Sequence, residues 1–62
     1  MSKIRILIVD DHTVVRAGVS SIIEKAPDLE VVGQAASGEE ALQALPVLKP
    51  QVVVMDIRLP GM

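Results

Sequence analysis

The chain has 62 residues, half of them apolar and none aromatic, and six basic against eight acidic residues give a formal net charge of −2. This length allows one small folded domain with an aliphatic core, and the lack of cysteine excludes disulfides and thiolate zinc sites. Because the sequence has no basic cluster, no signal-peptide pattern and no apolar run of ~20 residues, we expect a cytoplasmic domain that contacts neither nucleic acid nor a membrane.

The first two predicted elements are a buried strand and an amphipathic helix. Residues 4–9 are aliphatic and largely β-branched, with only Arg5 interrupting, which indicates a strand buried on both faces. Apolar side chains then recur at spacings of three and four between Val14 and Ile23. Pro27 disfavours helical geometry at the preceding residue, so we expect this helix to end near Lys25.

The next two predicted elements are a polar strand and a capped helix. Residues 29–36 indicate a second strand, and their polar side chains favour a place at the edge of the sheet. Residues 37–40 fit a capping box, in which Ser37 accepts a hydrogen bond from the amide of Glu40. A helix should follow, and Pro46 predicts that it stops early or kinks.

The last predicted strand spans residues 51–56, and residues 58–62 have the composition of a loop. The order strand, helix, strand, helix, strand indicates an α/β fold with right-handed crossovers between parallel strands. With the polar second strand outermost, the spatial order is 2-1-3, as in flavodoxin-like folds. The chain then reverses direction between the first and third strands, where such sheets bind ligands.

Three carboxylates stand where two of these strands end. Asp10 and Asp11 follow the first strand, and Asp56 closes the third. Because parallel strands deliver their carboxyl ends to one edge, we expect the three acids to converge there. Clustered carboxylates repel one another unless a cation intervenes, and hard oxygen ligands suit Mg²⁺. Asp11 alone could cap the following helix and Asp56 alone could merely end a strand, but the joint pattern favours a metal and phosphoryl site.

Several stretches of the sequence resemble the receiver domain of response regulators. The resemblance rests on residues 6–12, 38–42 and 54–62 and covers essentially the whole chain. Asp11 and His12 together with residues 15–18, and then residues 26–33, look most like the NarL/FixJ-type receivers, which carry a helix-turn-helix output domain. The resemblance implies a CheY-like fold, here with three of the family's five strands.

By this resemblance, Asp56 is the phosphoacceptor of a two-component system, and it takes a phosphoryl group from a sensor histidine kinase. Asp10, Asp11, Asp56 and the backbone carbonyl of Arg58 match the family's Mg²⁺ ligands. Pro60 and Gly61 match the tight loop after the phosphoacceptor strand. The parent protein would regulate transcription by binding DNA, although no residue in this segment would contact the DNA.

The resemblance also implies that residues 1–62 are the N-terminal part of a receiver domain. The hydroxyl residue and the lysine that respond to phosphorylation in the family belong to the later strands and have no counterpart here. Without those strands, the third strand becomes an open edge, and open edges template pairing. We therefore expect self-association through residues 51–56.

Other interpretations of the same residues stay open. The chain could be a phosphorylation-incompetent half-domain that acts as a structural or dimerisation element. An aspartyl hydrolase of the haloacid dehalogenase type is disfavoured, because such enzymes place a second acid two residues after the nucleophile, where this chain has Arg58. A phosphohistidine relay through His12 is also disfavoured, since a lone histidine in a first helical turn is more often a solvated residue.

Overall fold

The computed structural model describes residues 3–55, which form a three-stranded sheet with two helices. The elements in chain order are β1 (Ile4–Val9), α1 (Thr13–Glu24), β2 (Leu29–Ala35), α2 (Gly38–Leu48) and β3 (Val52–Met55). The sheet order is β2-β1-β3 with both pairings parallel, as the sequence predicts. No helix within the described residues is long and apolar enough to cross a membrane.

The central strand, β1, carries the buried core. Leu7 is fully buried, and with Val9 it packs against Ala35 and Ala41 on the face that α2 covers. On the opposite face, Ile8 lines a groove together with side chains of α1 and β3. A strand covered on both faces has to be apolar along its length, which explains the nearly uninterrupted aliphatic sequence of β1.

The pairing of β1 with the edge strand β2 contains an irregularity that the sequence pattern does not predict. Ile6 pairs with Val31 and Leu7 pairs with Gly33, so the register shifts by one residue between them. A Cβ atom at Gly33 would lie only 2.5 Å from a methyl carbon of Leu48. The glycine therefore permits α2 to pack closely over β2 next to the bulge.

The start of α1 differs from one of the interpretations considered for Asp11. The residue that caps α1 is His12, with extended backbone angles (φ −102°, ψ 114°) and no capping bond from its side chain. The first helical hydrogen bond runs from the amide of Arg16 to the carbonyl of His12. Asp11 stands one residue too early to cap this helix, so the capping role considered for it is wrong. The helix ends at Glu24, next to the predicted Lys25.

The second helix has the predicted cap, but it runs past the predicted stop. The Ser37 hydroxyl accepts a hydrogen bond of 3.2 Å from the amide of Glu40. The expected early end at Pro46 is wrong, because α2 continues to Leu48. Pro46 lies in the last turn, where its missing N–H removes a single helical bond. Lys49 then ends the helix in the left-handed region (φ 49°), and its amide donates to the carbonyl of Leu45.

The third strand begins one residue later than predicted, and its described residues are all exposed. It begins at Val52, one residue after the predicted start, and the Gln51 amide donates a hydrogen bond to the carbonyl of Arg5. All four residues of β3 are exposed, and β1 is its only partner strand among residues 3–55. Asp56, which was predicted to close this strand, lies outside the described residues.

Candidate functional site

The site is built around Asp10, the residue that follows β1. Its side chain is only 4% exposed, and its backbone amide donates to the carbonyl of Ala35 at 3.0 Å. The carbonyl of Asp10 accepts a 2.7 Å hydrogen bond from the guanidinium Nη1 of Arg16. The backbone of Asp10 is thus held from two sides, by β2 and by α1, where the chain leaves the sheet.

Asp11 and His12 extend the acidic site towards solvent. The His12 imidazole Nδ1 lies 2.7 Å from an oxygen of Asp11 and 3.1 Å from an oxygen of Asp10. The same Asp10 oxygen accepts the backbone amide of His12 at 2.8 Å. Ionised carboxylates only accept hydrogen bonds, so we assign the proton of the imidazole to Nδ1. The side chains of Asp11 and His12 are 79% and 53% exposed, in contrast to buried Asp10.

The sheet register relates this cluster to the end of β3. Val9 and Met55 are paired in the parallel ladder between β1 and β3. Asp10 directly follows Val9 in the sequence, and Asp56 directly follows Met55. Paired positions on adjacent strands are ~4.8 Å apart, so β1 and β3 reach the carboxyl edge of the sheet side by side.

The other predicted site residues follow β3 in the sequence, beyond the part of the chain that the structure describes. Asp56, Arg58, Pro60 and Gly61 lie outside the described residues, so their roles stay predictions. The structure brings Asp10 and Asp11 into one cluster whose ligand atoms, together with that of His12, all lie within 4.8 Å of one another.

An apolar groove runs beside the acids. It has a volume of about 230 Å³ and lies between the first turns of α1 and the end of β3. Its lining residues are Ile8, Val9, Asp10, Val15, Val19, Val54 and Met55. Asp10 is the only one of them with a charged side chain. An apolar wall lowers the local dielectric constant, which strengthens the attraction between the buried carboxylate and a bound cation.

The donor chemistry of the cluster fits Mg²⁺. Asp10 and Asp11 offer hard carboxylate oxygens, and the exposure of Asp11 leaves room for the water ligands that Mg²⁺ retains. An imidazole nitrogen is a softer donor that suits zinc or copper better than magnesium. Asp10 and Asp11 are therefore the described residues that would hold the ion, and His12 is the least suited member of the cluster.

Two contacts at this site were not anticipated from the sequence. One is the hydrogen bond from Arg16 to the Asp10 carbonyl, and the other is the contact of His12 with both acids. The sequence predicts only that Arg16 lies within an amphipathic helix and that His12 is a solvated residue. His12 directly follows the two acids and Arg16 lies six residues after Asp10, but neither position in the sequence specifies the direction of the side chain.

Comparisons with known proteins relate this chain to one family. The sequence model described as "Response regulator receiver domain" matches residues 6–62. Over 58 residues the chain is 52% identical to the response regulator GacA of Pseudomonas viridiflava. That match includes 94% of this chain but only 27% of GacA.

Solved structures give the same result for the fold. The chain superposes on the receiver domain of the response regulator NarL from Mycobacterium tuberculosis with a TM-score of 0.88 and 35% identity, covering 100% of this chain and 50% of that one. A second similar structure shows CheY6 of R. sphaeroides in complex with the P1 domain of CheA3 (TM-score 0.83, 41% identity, 100% of this chain and 49% of that one). This chain therefore spans about half the length of these two structures.

Proposed function

This chain belongs to the response regulator receiver domain family, and from that membership we propose that it is a phosphoacceptor segment of a two-component response regulator. In this proposal, residues 1–62 form the N-terminal part of a receiver domain. Asp56 takes a phosphoryl group from a histidine kinase, and the reaction requires Mg²⁺ held by Asp10, Asp11, Asp56 and the backbone carbonyl of Arg58.

The observation that carries the proposal is the pairing of Val9 with Met55. It brings Asp10, whose side chain is buried and whose backbone is held by Ala35 and Arg16, close to the end of β3, which Asp56 follows in the sequence. In the proposed reaction, a carboxylate oxygen of Asp56 attacks the phosphorus of a phosphohistidine. The bond from phosphorus to the imidazole nitrogen of the donor breaks, and the product is an acyl phosphate on Asp56.

The residues around Asp56 have distinct roles in this proposal. Bound Mg²⁺ would supply positive charge against the oxygens of the transferring phosphoryl group. The buried carboxylate of Asp10 and the exposed carboxylate of Asp11 would hold the ion. Arg16 positions the Asp10 backbone through its hydrogen bond to the Asp10 carbonyl. This is signalling chemistry on the chain itself rather than enzymatic turnover of a separate substrate.

The proposed partners follow from the family. Receiver domains interact with histidine kinases, and CheY6, a similar protein, is in complex with the P1 domain of CheA3. We therefore propose a sensor histidine kinase as the phosphodonor, in the cytoplasm. The relatives include NarL/FixJ-type regulators, which supports a DNA-binding transcriptional regulator as the parent protein.

Metal binding gives the first test. The Asp10→Asn variant should bind Mg²⁺ at least ~10-fold more weakly in calorimetric titration, because even loss of an outer-shell partner commonly costs that much affinity. Asp28→Asn is the matched control, since it makes the same change at an exposed residue in the turn before β2. Equal Mg²⁺ affinities of these two variants would argue against a metal site at Asp10.

A second candidate function is dimerisation through β3, and the exposure of all four of its residues favours it. An open strand edge offers unpaired amides and carbonyls to a second chain. The two functions are compatible if self-association leaves the carboxyl edge of the sheet free.

We expect the chain to sediment as a dimer or larger species, and Val53→Lys should shift it towards the monomer by placing like charges along the paired edges. Val47→Lys is the control, because Val47 is 78% exposed on α2, away from the strand edge. A monomer at every concentration in analytical ultracentrifugation would contradict the proposal of self-association.

A further inference from the structure

One interaction in the acidic site has no role in the proposed phosphoryl transfer, namely the contact of His12 with both acids. We propose that the His12 imidazole is an internal competitor for the metal ion. It binds Asp10 and Asp11 in the metal-free chain and releases them when a cation binds. This inference rests on the proposed Mg²⁺ site and adds a residue that sets its affinity.

The geometry places the competition at particular atoms. Nδ1 of His12 lies 2.7 Å from Oδ1 of Asp11 and 3.1 Å from Oδ1 of Asp10, so a single N–H faces both carboxylates. Oδ1 of Asp10 also accepts a hydrogen bond from the backbone amide of His12, so both the backbone and the imidazole of His12 contact this oxygen. Mg²⁺ needs carboxylate lone pairs at ~2.0–2.1 Å in a nearly ideal octahedron. The ion and the imidazole therefore compete for the same oxygens.

The difference in burial indicates which partner moves. The Asp10 side chain is 4% exposed, and its backbone is fixed by Ala35 and Arg16. The His12 side chain is 53% exposed, so it has more room to move than the buried side chain of Asp10. The backbone amide of His12 can keep its bond to Asp10 when the imidazole moves, because rotation of the side chain leaves the backbone in place. Loss of the imidazole should thus leave the two acids in place.

The ligand preference of Mg²⁺ determines whether His12 raises or lowers the affinity of the site for the ion. Because Mg²⁺ prefers oxygen ligands, the imidazole is not expected to join its coordination shell once displaced. Its interaction with the acids stabilises only the metal-free state. Any interaction present in the free state and lost in the bound state lowers the apparent affinity. His12 accordingly makes the site weaker for Mg²⁺ than Asp10 and Asp11 alone would make it.

The test is a calorimetric Mg²⁺ titration of the unsubstituted chain, His12→Ala and Thr13→Ala at one fixed pH. His12→Ala should bind Mg²⁺ roughly threefold to tenfold more tightly, the range that corresponds to one net hydrogen bond. Thr13→Ala, an exposed change at the first residue of α1, should bind like the unsubstituted chain. Unchanged or weaker binding by His12→Ala would overturn the inference, and weaker binding would identify the imidazole as a ligand.

A second measurement uses the unsubstituted chain and does not depend on how a variant folds. His12 is the only histidine, so its imidazole resonances are unambiguous. They should shift towards those of a solvated imidazole as Mg²⁺ is added. The midpoint of this shift should fall at the same Mg²⁺ concentration as the midpoint of the calorimetric titration. Imidazole resonances that do not move while Mg²⁺ binds would overturn the competitor role alone. If none of the three chains binds Mg²⁺, the proposed metal site fails and the inference fails with it.

Discussion

Leu7→Ala should cost ~2–5 kcal/mol of folding free energy, which is the range for truncating a fully buried leucine. Leu7 is 0% exposed and lies at the centre of the cluster that joins β1, β2 and α2. Small domains have a thin margin of stability, since they bury only ~60% of the surface of the unfolded chain. We therefore expect this variant to be largely unfolded by circular dichroism under conditions in which the unsubstituted chain is folded.

The matched control is Leu42→Ala on α2. Leu42 is 69% exposed, and alanine propagates a helix at least as well as leucine does. Surface substitutions of this kind usually change stability by less than ~0.5 kcal/mol. Urea midpoints that fall equally for the two variants would mean that the core does not lie where the structure places it.

Much of the fold could be predicted because its signals are local. The aliphatic sequence of β1 and the apolar spacing of α1 each identify an element without reference to the rest of the chain. The polar composition of β2 correctly predicts its edge position, and this fixes the order 2-1-3. The cap at Ser37 is equally local, since donor and acceptor are three residues apart.

The predictions that failed have different causes, some local and some tertiary. Pro46 is tolerated within α2 because it falls in the last turn. The register shift opposite Gly33 depends on how closely Leu48 of α2 approaches β2, which no local pattern encodes. The cap of α1 moved from Asp11 to His12 because the Asp10 carboxylate binds the His12 amide.

The contacts within the acidic cluster were not predicted, and the expected convergence of all three acids stays a prediction, because Asp56 lies outside the described residues. The ends of the apolar strand sequences locate Asp10 and Asp11 at one edge of the sheet, and the structure brings them together with His12. The direction of the His12 and Arg16 side chains depends on the angle at which α1 leaves β1, which the sequence does not specify. The role of Asp56 stays a prediction from the strand pattern and from the family.

Asp56→Asn should abolish phosphorylation, which is the largest functional effect that the proposal predicts. An amide lacks the negatively charged oxygen that attacks phosphorus, yet it has nearly the same shape as the carboxylate. Asp28→Asn, which makes the same substitution at an exposed residue in the turn before β2, should be phosphorylated like the unsubstituted chain. Removal of Mg²⁺ with a chelator should suppress the reaction in both phosphorylated chains, because the phosphoryl oxygens then lack a neutralising charge.

The most direct test is intact-mass spectrometry of the unsubstituted chain, Asp56→Asn and Asp28→Asn after incubation with Mg²⁺ and acetyl phosphate. The proposed function predicts a gain of one phosphoryl group by the unsubstituted chain and by Asp28→Asn, and no gain by Asp56→Asn. A gain by Asp56→Asn equal to that of the unsubstituted chain would contradict Asp56 as the phosphoacceptor. No gain by any of the three would favour the structural, dimerising half-domain instead.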